Sequence, residues 1–150
     1  MTGDADEKIF WQEMRQKFSL VGTNAYLSDQ ILSRFTVRGW VLEIIKQHRD
    51  QNVLTAILSD QTDWLDRLNS KYDFFKYFDR VFNSFHLKQS KHNGGEIYDT
   101  VLAEMKVPAN SALFVDDNEN NIKKAKAKLL HTIYYKDRRS FETELNRIVS

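Results

Sequence analysis

The sequence predicts an α/β fold in which helices pack against a parallel sheet. From Asn52 onward, short apolar runs rich in β-branched residues alternate with amphipathic helical patterns, and this alternation is typical of chains that build parallel sheets. One apolar run, residues 112–115, ends abruptly in the adjacent carboxylates Asp116 and Asp117. Open parallel sheets bind their ligands at the carboxyl ends of the strands, so these two side chains are the first candidates for a functional site.

The first third of the chain is predicted to be helical. Apolar side chains recur at every fourth residue from Phe10 to Phe18, which indicates a first helix. A loop is expected over residues 21–26, followed by a second helix from Ser28 and a third helix over residues 37–50. No apolar run in this part of the chain predicts a strand.

Four strands are predicted in the remainder of the chain. The first and third of them are continuous apolar runs, as expected of strands that are buried on both faces. We therefore expect a three-layer, Rossmann-like parallel sheet over about residues 51–150, which forms a single domain with the helical segment over about residues 1–50. The predicted strands are residues 53–58, 80–84, 112–115 and 132–135.

Composition excludes several classes of protein. The net charge of the 150 residues is +1, which gives no general electrostatic reason to bind nucleic acid or a membrane surface. No apolar run approaches the roughly 18 residues of a transmembrane helix. The chain has no cysteine, so disulfides, thiol catalysis and cysteine-ligated metals are excluded. We therefore expect a cytoplasmic protein with neither a nucleic acid nor a membrane as its partner.

The adjacent carboxylates are candidate metal ligands. Two carboxylates as close as Asp116 and Asp117 repel each other unless a cation lies between them, and Mg²⁺ is the usual cation in such sites. The other interpretation is that Asp117 or Asn118 only caps the helix that follows. On the first interpretation, Asp116 and Asp117 form a weak Mg²⁺ site.

Further candidate residues follow the other strands. Residues 57–60 read Ile-Leu-Ser-Asp, residues 77–84 lead into the second strand, Lys91 precedes the helix of Ile97, and residues 114–118 read Phe-Val-Asp-Asp-Asn. In this order and spacing, these four segments resemble motifs of the haloacid dehalogenase-like (HAD-like) hydrolases, a superfamily made up largely of phosphatases. The resemblance extends from about residue 8 to residue 140, and it implies a HAD-like core.

The resemblance also implies roles for individual residues. Ser59 matches the serine or threonine whose hydroxyl holds a phosphate oxygen, and Lys91 matches the lysine that neutralises the phosphate, although Lys88 is an alternative for that role. Asp116 and Asp117 match the magnesium-binding motif. Because Ser59, Asp116 and Asp117 all follow apolar strands directly and parallel strands end at the same edge, we expect the three to cluster at one end of the sheet. The helices before residue 52 resemble part of the helical cap of the family.

The chain departs from the family at the nucleophile. The family uses an aspartate in a D-x-D signature that follows an apolar first strand, and no such strand precedes residue 52. Asp4 stands in the letters D-A-D, but Met-Thr-Gly ahead of it does not form a buried strand. No catalytic residue is therefore assigned. Leu129 replaces a second family feature, the glycine that usually ends the helix after the magnesium motif.

Two functions remain open at this point. The first is a HAD-like hydrolase domain of the phosphatase type that misses its nucleophile strand, through truncation or through donation of the strand by another chain, and is inactive or very weak alone. The second is a non-catalytic binding or scaffold module derived from the same fold. The expected partners are a phosphorylated small molecule and either a second copy of the chain or a strand-donating protein. Residues 113–118 also resemble the first strand of a response-regulator receiver domain. We reject this class, because a receiver needs its phospho-acceptor aspartate and a lysine much further downstream, and only 33 residues follow Asp117.

Overall fold

The structure is a computed structural model that describes residues 7–60, 63–89, 91 and 94–149. The chain divides into two compact units, Met1–Gln89 and Ser90–Ser150. The elements of the first unit are α1 (Glu7–Phe18), α2 (Asn24–Leu32), α3 (Gly39–Asp50), β1 (Ala56–Ser59), α4 (Trp64–Tyr72), a 3₁₀ turn (Phe75–Tyr77), β2 (Arg80–Asn83) and α5 (Ser84–Leu87). Those of the second unit are α6 (Glu96–Met105), a 3₁₀ turn (Ala109–Ser111), β3 (Leu113–Asp116), α7 (Glu119–Ala127), β4 (His131–Tyr134) and α8 (Arg138–Val149).

The four strands in the described part of the chain form two parallel pairs. β1 pairs with β2 in a register that runs from Ala56 opposite Arg80 to Ser59 opposite Asn83. β3 pairs with β4, and Asp116 lies opposite Tyr134 at the end of that pair. Each pair is a separate two-stranded sheet. The predicted α/β class with parallel strands is confirmed, and the strands are short. The prediction of a single domain stays a prediction.

A buried tryptophan joins the first two helices. Trp11 is 2% exposed, and its indole Nε1 donates to the hydroxyl of Ser28 at 2.9 Å and to Glu7 Oε1 at 3.1 Å. Burial alone raises the pKa of Glu7, but hydrogen bonds from Ser28 and Trp11 outweigh it and hold that pKa below its ordinary value. α2 begins at Asn24, within the predicted loop, because the Thr23 side chain accepts the backbone N–H of Tyr26 and caps the helix.

β1 begins three residues later than predicted. Val53 and Leu54 are 47% and 55% exposed, and neither belongs to the strand. The N–H of Val53 donates to the carbonyl of His48 at 3.0 Å, so Val53 belongs to the turn that ends α3. An apolar composition was therefore not sufficient to place both residues in the buried sheet.

Each unit has an apolar core of its own. In the first unit, Leu65, Leu68 and Phe74 form a buried cluster. In the second unit, the Tyr98 ring packs edge-to-face on Phe114 at 5.2 Å between ring centroids. The other buried apolar residues of the second unit are Ile97, Ile122, Ala125, Ile133, Phe141 and Leu145.

Helix length bears on the predicted absence of a membrane-spanning segment. In the described ranges, no helix has both the length and the apolar character needed to cross a bilayer. The cytoplasmic location inferred from the lack of cysteines stays a prediction.

Candidate functional site

The carboxylate of Asp116 is the centre of a polar cluster at the end of β3. Its side chain is 8% exposed. Oδ1 accepts the backbone N–H of Asn118 at 2.8 Å and Oδ2 accepts the ammonium of Lys91 at 2.7 Å. The amide Nδ2 of Asn121 lies 3.3 Å from both oxygens. The end of a parallel strand thus places a charged group among hydrogen-bond donors, at the edge of the sheet where such folds bind their ligands.

Lys91 is held on several sides. Its side chain is 10% exposed, and the ammonium lies 5.8 Å from the centre of the Phe114 ring. The backbone carbonyl of Lys91 accepts the ammonium of Lys124 at 3.0 Å. A buried ion pair of this kind is costly to break, because each partner alone would leave a charge without compensation in the interior.

The start of α7 positions the amide that contacts Asp116. Asn118 is the N-cap, and its Oδ1 accepts the backbone N–H of Asn120 at 2.9 Å and of Asn121 at 3.4 Å. Asn121 is buried, and its backbone carbonyl accepts the hydroxyl of Tyr98 at 3.1 Å. Asn118 is therefore a helix cap, as the second interpretation of this stretch expected, while Asp116 has a separate role in the cluster. Asp117 is exposed.

The arrangement of donors tests whether a divalent cation fits at Asp116. A carboxylate has about four lone-pair sites, and donors from Asn118, Lys91 and Asn121 already occupy those of Asp116. In the described part of the chain, no group of three or more acidic, histidine or cysteine side chains is placed to hold a metal. As arranged, the residues do not fit Mg²⁺, because the Lys91 ammonium takes the cation position. The predicted site at Asp116 and Asp117 stays a prediction.

The predicted phosphate ligands lie in different units. Ser59 is the last residue of β1 in the first unit, and the cap position of α4 is Asp63, so Ser59 is not the cap of that helix. Lys91 belongs to the second unit. Lys88, the alternative to Lys91, is exposed and lies in the left-handed region at the end of α5. That Ser59 and Lys91 share one phosphate stays a prediction, and Asp4 lies outside the described residues.

Two residues of the cluster were not predicted as site residues. Neither the helical spacing of Asn121 after the magnesium-like motif nor the run of lysines around Lys124 gave either residue a role in the site. They are three residues apart on α7, so they share one face of the helix, and that face contacts Asp116 and Lys91. The neighbouring Lys123 lies on the exposed face, where it pairs with Glu119 at 3.0 Å. The i, i+3 spacing after Asn118 was the signal that would have identified both residues.

A second polar group lies at the start of the first sheet. The backbone N–H of Thr55 and its hydroxyl donate to the Asp79 carboxylate, and the Arg49 guanidinium pairs with the same carboxylate at 3.0 Å. Hydrogen bonds from the backbone N–H and the hydroxyl of Thr55, together with the attraction of Arg49, hold the pKa of Asp79 below its ordinary value in spite of partial burial. An open cleft of about 580 Å³ lies beside it, lined by Lys46, Val53 and Leu54 among others.

Comparison with known proteins identifies the family. The sequence matches the haloacid dehalogenase-like hydrolases over residues 6–127. The chain belongs to this family. A structure of a HAD-like hydrolase from Porphyromonas gingivalis superposes with a TM-score of 0.83 at 19% identity, over 99% of this chain and 75% of that chain. A HAD family enzyme from Bacteroides thetaiotaomicron, solved with magnesium and inorganic phosphate, gives a TM-score of 0.77 at 20% identity, over 90% of this chain and 70% of that chain. No curated protein matches the sequence.

Proposed function

We propose that this HAD-like hydrolase domain binds the phosphoryl group of a small molecule and, as an isolated chain, hydrolyses phosphate esters very slowly or not at all. The observation that supports the proposal is the Lys91–Asp116 pair, which holds an ammonium at the carboxyl end of a parallel strand. A relative of the same fold was solved with inorganic phosphate, which belongs to the ligand class proposed here.

The binding step relies on charge and on a hydroxyl donor. The Lys91 ammonium would bind phosphate oxygens through charge-assisted hydrogen bonds, which are about twice as strong as neutral ones. The Ser59 hydroxyl is the second phosphate donor that the family resemblance implies. Both contributions are electrostatic, so they need no covalent chemistry from the chain.

Turnover by the family's mechanism needs an aspartyl nucleophile, and the 150 residues do not supply one in the family's D-x-D pattern. Aspartyl phosphatases split ester hydrolysis into two displacements through a covalent phosphoenzyme. No apolar strand in this sequence ends in D-x-D. Asp116 is a poor substitute, because an ammonium and hydrogen-bond donors hold both of its oxygens. Loss of the covalent participant typically lowers the rate by several orders of magnitude.

A turnover assay tests the catalytic half of the proposal. We expect an aryl phosphate in millimolar Mg²⁺ to be hydrolysed no faster with the protein than with an Asp116→Ala variant. Robust turnover that Asp116→Ala abolishes would contradict the proposal. In that case a substitute nucleophile would be sought first at Asp60 and Asp4.

Thermal unfolding with inorganic phosphate tests the binding half. A ligand that binds only the folded state raises the unfolding temperature with its concentration. We expect phosphate to stabilise the wild type and to stabilise Ser59→Ala much less. Ser70→Ala is the matched control, because the Ser70 hydroxyl is exposed and donates within its own helix, to the Asp66 carbonyl. An equal response of the two serine variants would contradict the role of Ser59.

The second candidate function is a non-catalytic binding or scaffold module. The neutralisation of Asp116 by Lys91 also favours it, since a carboxylate paired in this way needs neither metal nor substrate. On this alternative, phosphate would not stabilise the wild type and no variant would turn over. In-frame genomic sequence that encodes an apolar strand ending in D-x-D upstream of Met1 would favour the hydrolase.

A further inference from the structure

We propose that the Lys91 ammonium acts as a built-in cation for Asp116 and keeps Mg²⁺ away from that carboxylate as long as the pair is intact. The proposal rests on the proposed function in one respect, because the proposed function assigns Lys91 and Asp116 to one ligand site. Its test measures metal binding rather than turnover or phosphate binding. The two proposals can therefore fail separately.

The carboxylate of Asp116 is already occupied by hydrogen-bond donors. Oδ2 of Asp116 accepts the Lys91 ammonium at 2.7 Å, and Oδ1 accepts the Asn118 N–H at 2.8 Å. Mg²⁺ requires oxygen ligands at about 2.0–2.1 Å in near-octahedral geometry, so it needs lone pairs that these donors now fill. The ammonium would also repel a divalent ion bound to the same carboxylate.

Lys91 is anchored beside the carboxylate. With only 10% of its side chain exposed, Lys91 is not a flexible surface lysine that moves aside at little cost. Lys124 holds the backbone carbonyl of Lys91 at 3.0 Å, and the Phe114 ring lies beside the ammonium. These contacts keep the positive charge beside Asp116.

The Asn121 amide that contacts the same carboxylate also carries a buried oxygen. Oδ1 of Asn121 is buried and has no hydrogen-bond partner in the described part of the chain, although Nδ2 of the same amide contacts Asp116. Buried polar atoms usually have a partner. Without the ammonium, two carboxylate oxygens and this amide oxygen would form a set that hard cations prefer.

Removal of the ammonium is the direct test. We expect Lys91→Met to bind Mg²⁺ at least about tenfold more tightly than the wild type, seen as a rise of its unfolding temperature with Mg²⁺ at constant ionic strength. The charge-keeping variant Lys91→Arg and the surface variant Lys123→Met should respond as weakly as the wild type. The Lys123 control removes an equal charge from the exposed face of α7. Equal Mg²⁺ affinity of Lys91→Met and the wild type would overturn the proposal.

A second variant covers the case in which Lys91→Met fails to fold without metal. The double variant Lys91→Met/Asp116→Asn removes both charges, and we expect it to fold and to ignore Mg²⁺. Millimolar Mg²⁺ should then restore folding of Lys91→Met. Failure of that rescue would contradict the proposal, and so would submillimolar Mg²⁺ binding by the wild type itself. If Lys91→Met responds to Mg²⁺ while phosphate stabilises no variant, only the proposed function fails.

Discussion

Thr55 and Asp79 bind each other in both directions at the start of the first sheet. The backbone N–H and the hydroxyl of Thr55 donate to Asp79 Oδ2 at 2.8 and 3.0 Å, and the Asp79 N–H donates to the Thr55 carbonyl at 2.9 Å. Thr55 directly precedes β1 and Asp79 directly precedes β2, whose first residues, Ala56 and Arg80, lie opposite each other. This reciprocal arrangement aligns the starts of the two strands and sets their register.

The first prediction concerns the pH dependence of this contact. The Thr55 N–H and Arg49 hold the pKa of Asp79 below its ordinary value of 3.8, so its ionised form stabilises the folded state above that value. This contribution is lost as the pH falls through the lowered pKa. We expect Asp79→Asn to cost about 2 kcal/mol at neutral pH, measured by urea unfolding.

The difference in the free energy of unfolding between Asp79→Asn and the wild type should shrink below about pH 4. The wild-type carboxylate becomes protonated there, so its side chain is then uncharged like that of asparagine. Asp50→Asn is the control, since Asp50 is an exposed carboxylate at the end of α3. We expect it to stay within about 0.5 kcal/mol of the wild type. A constant difference at all pH values for Asp79→Asn would argue against a charge effect.

The second prediction concerns the stability contributed by the buried ion pair. Asp116→Ala leaves the Lys91 ammonium buried without its partner, so we expect a loss of about 3–5 kcal/mol in the free energy of unfolding. The neutral double variant Lys91→Met/Asp116→Asn should lose much less, because no charge is left unpaired. A double-mutant cycle from urea unfolding measures the coupling, and additive single effects would contradict a direct interaction.

The third prediction concerns the end of α7. Leu129 has a φ of 66°, in the left-handed region that favours glycine, and it is 75% exposed. Leu129→Gly should therefore raise the free energy of unfolding by about 1 kcal/mol, because it relieves strain and removes no buried side chain. Ala127→Gly, within the same helix, should lower it by about 1 kcal/mol. Destabilisation by both variants would show that the strain at Leu129 is negligible.

The fourth prediction concerns self-association. In the described residues, each strand pairs along one edge only, within a two-stranded sheet. Two-stranded sheets are marginal in water, and free strand edges pair readily with other chains. We therefore expect sedimentation velocity at micromolar concentrations to show a homo-oligomer, or a complex with a strand-donating protein when one is supplied. A monomer that shows no concentration dependence and binds no such strand would contradict this expectation.

Local patterns of the sequence were sufficient to predict most elements. The change from an apolar run to carboxylates predicted a strand over residues 112–115, within one residue of β3 at each end, and the short polar side chain of Asn118 marked the start of α7. Leu129 was recognised as a residue at a position that favours glycine, and its backbone is left-handed. These features depend on neighbours within a few residues, where side-chain periodicity and backbone sterics act directly.

Contacts between residues far apart in the chain were decided by the tertiary structure. Nothing in the run over residues 53–58 shows that β1 starts at Ala56, because Asp79, 24 residues beyond Thr55, aligns the start of the strand. The pairing of Lys91 with Asp116 spans 25 residues. The sequence marked both as charged site residues, and their pairing with each other was not predicted. Folding buried the two side chains next to each other. A buried charge is costly unless an opposite charge compensates it, so the two residues form an ion pair.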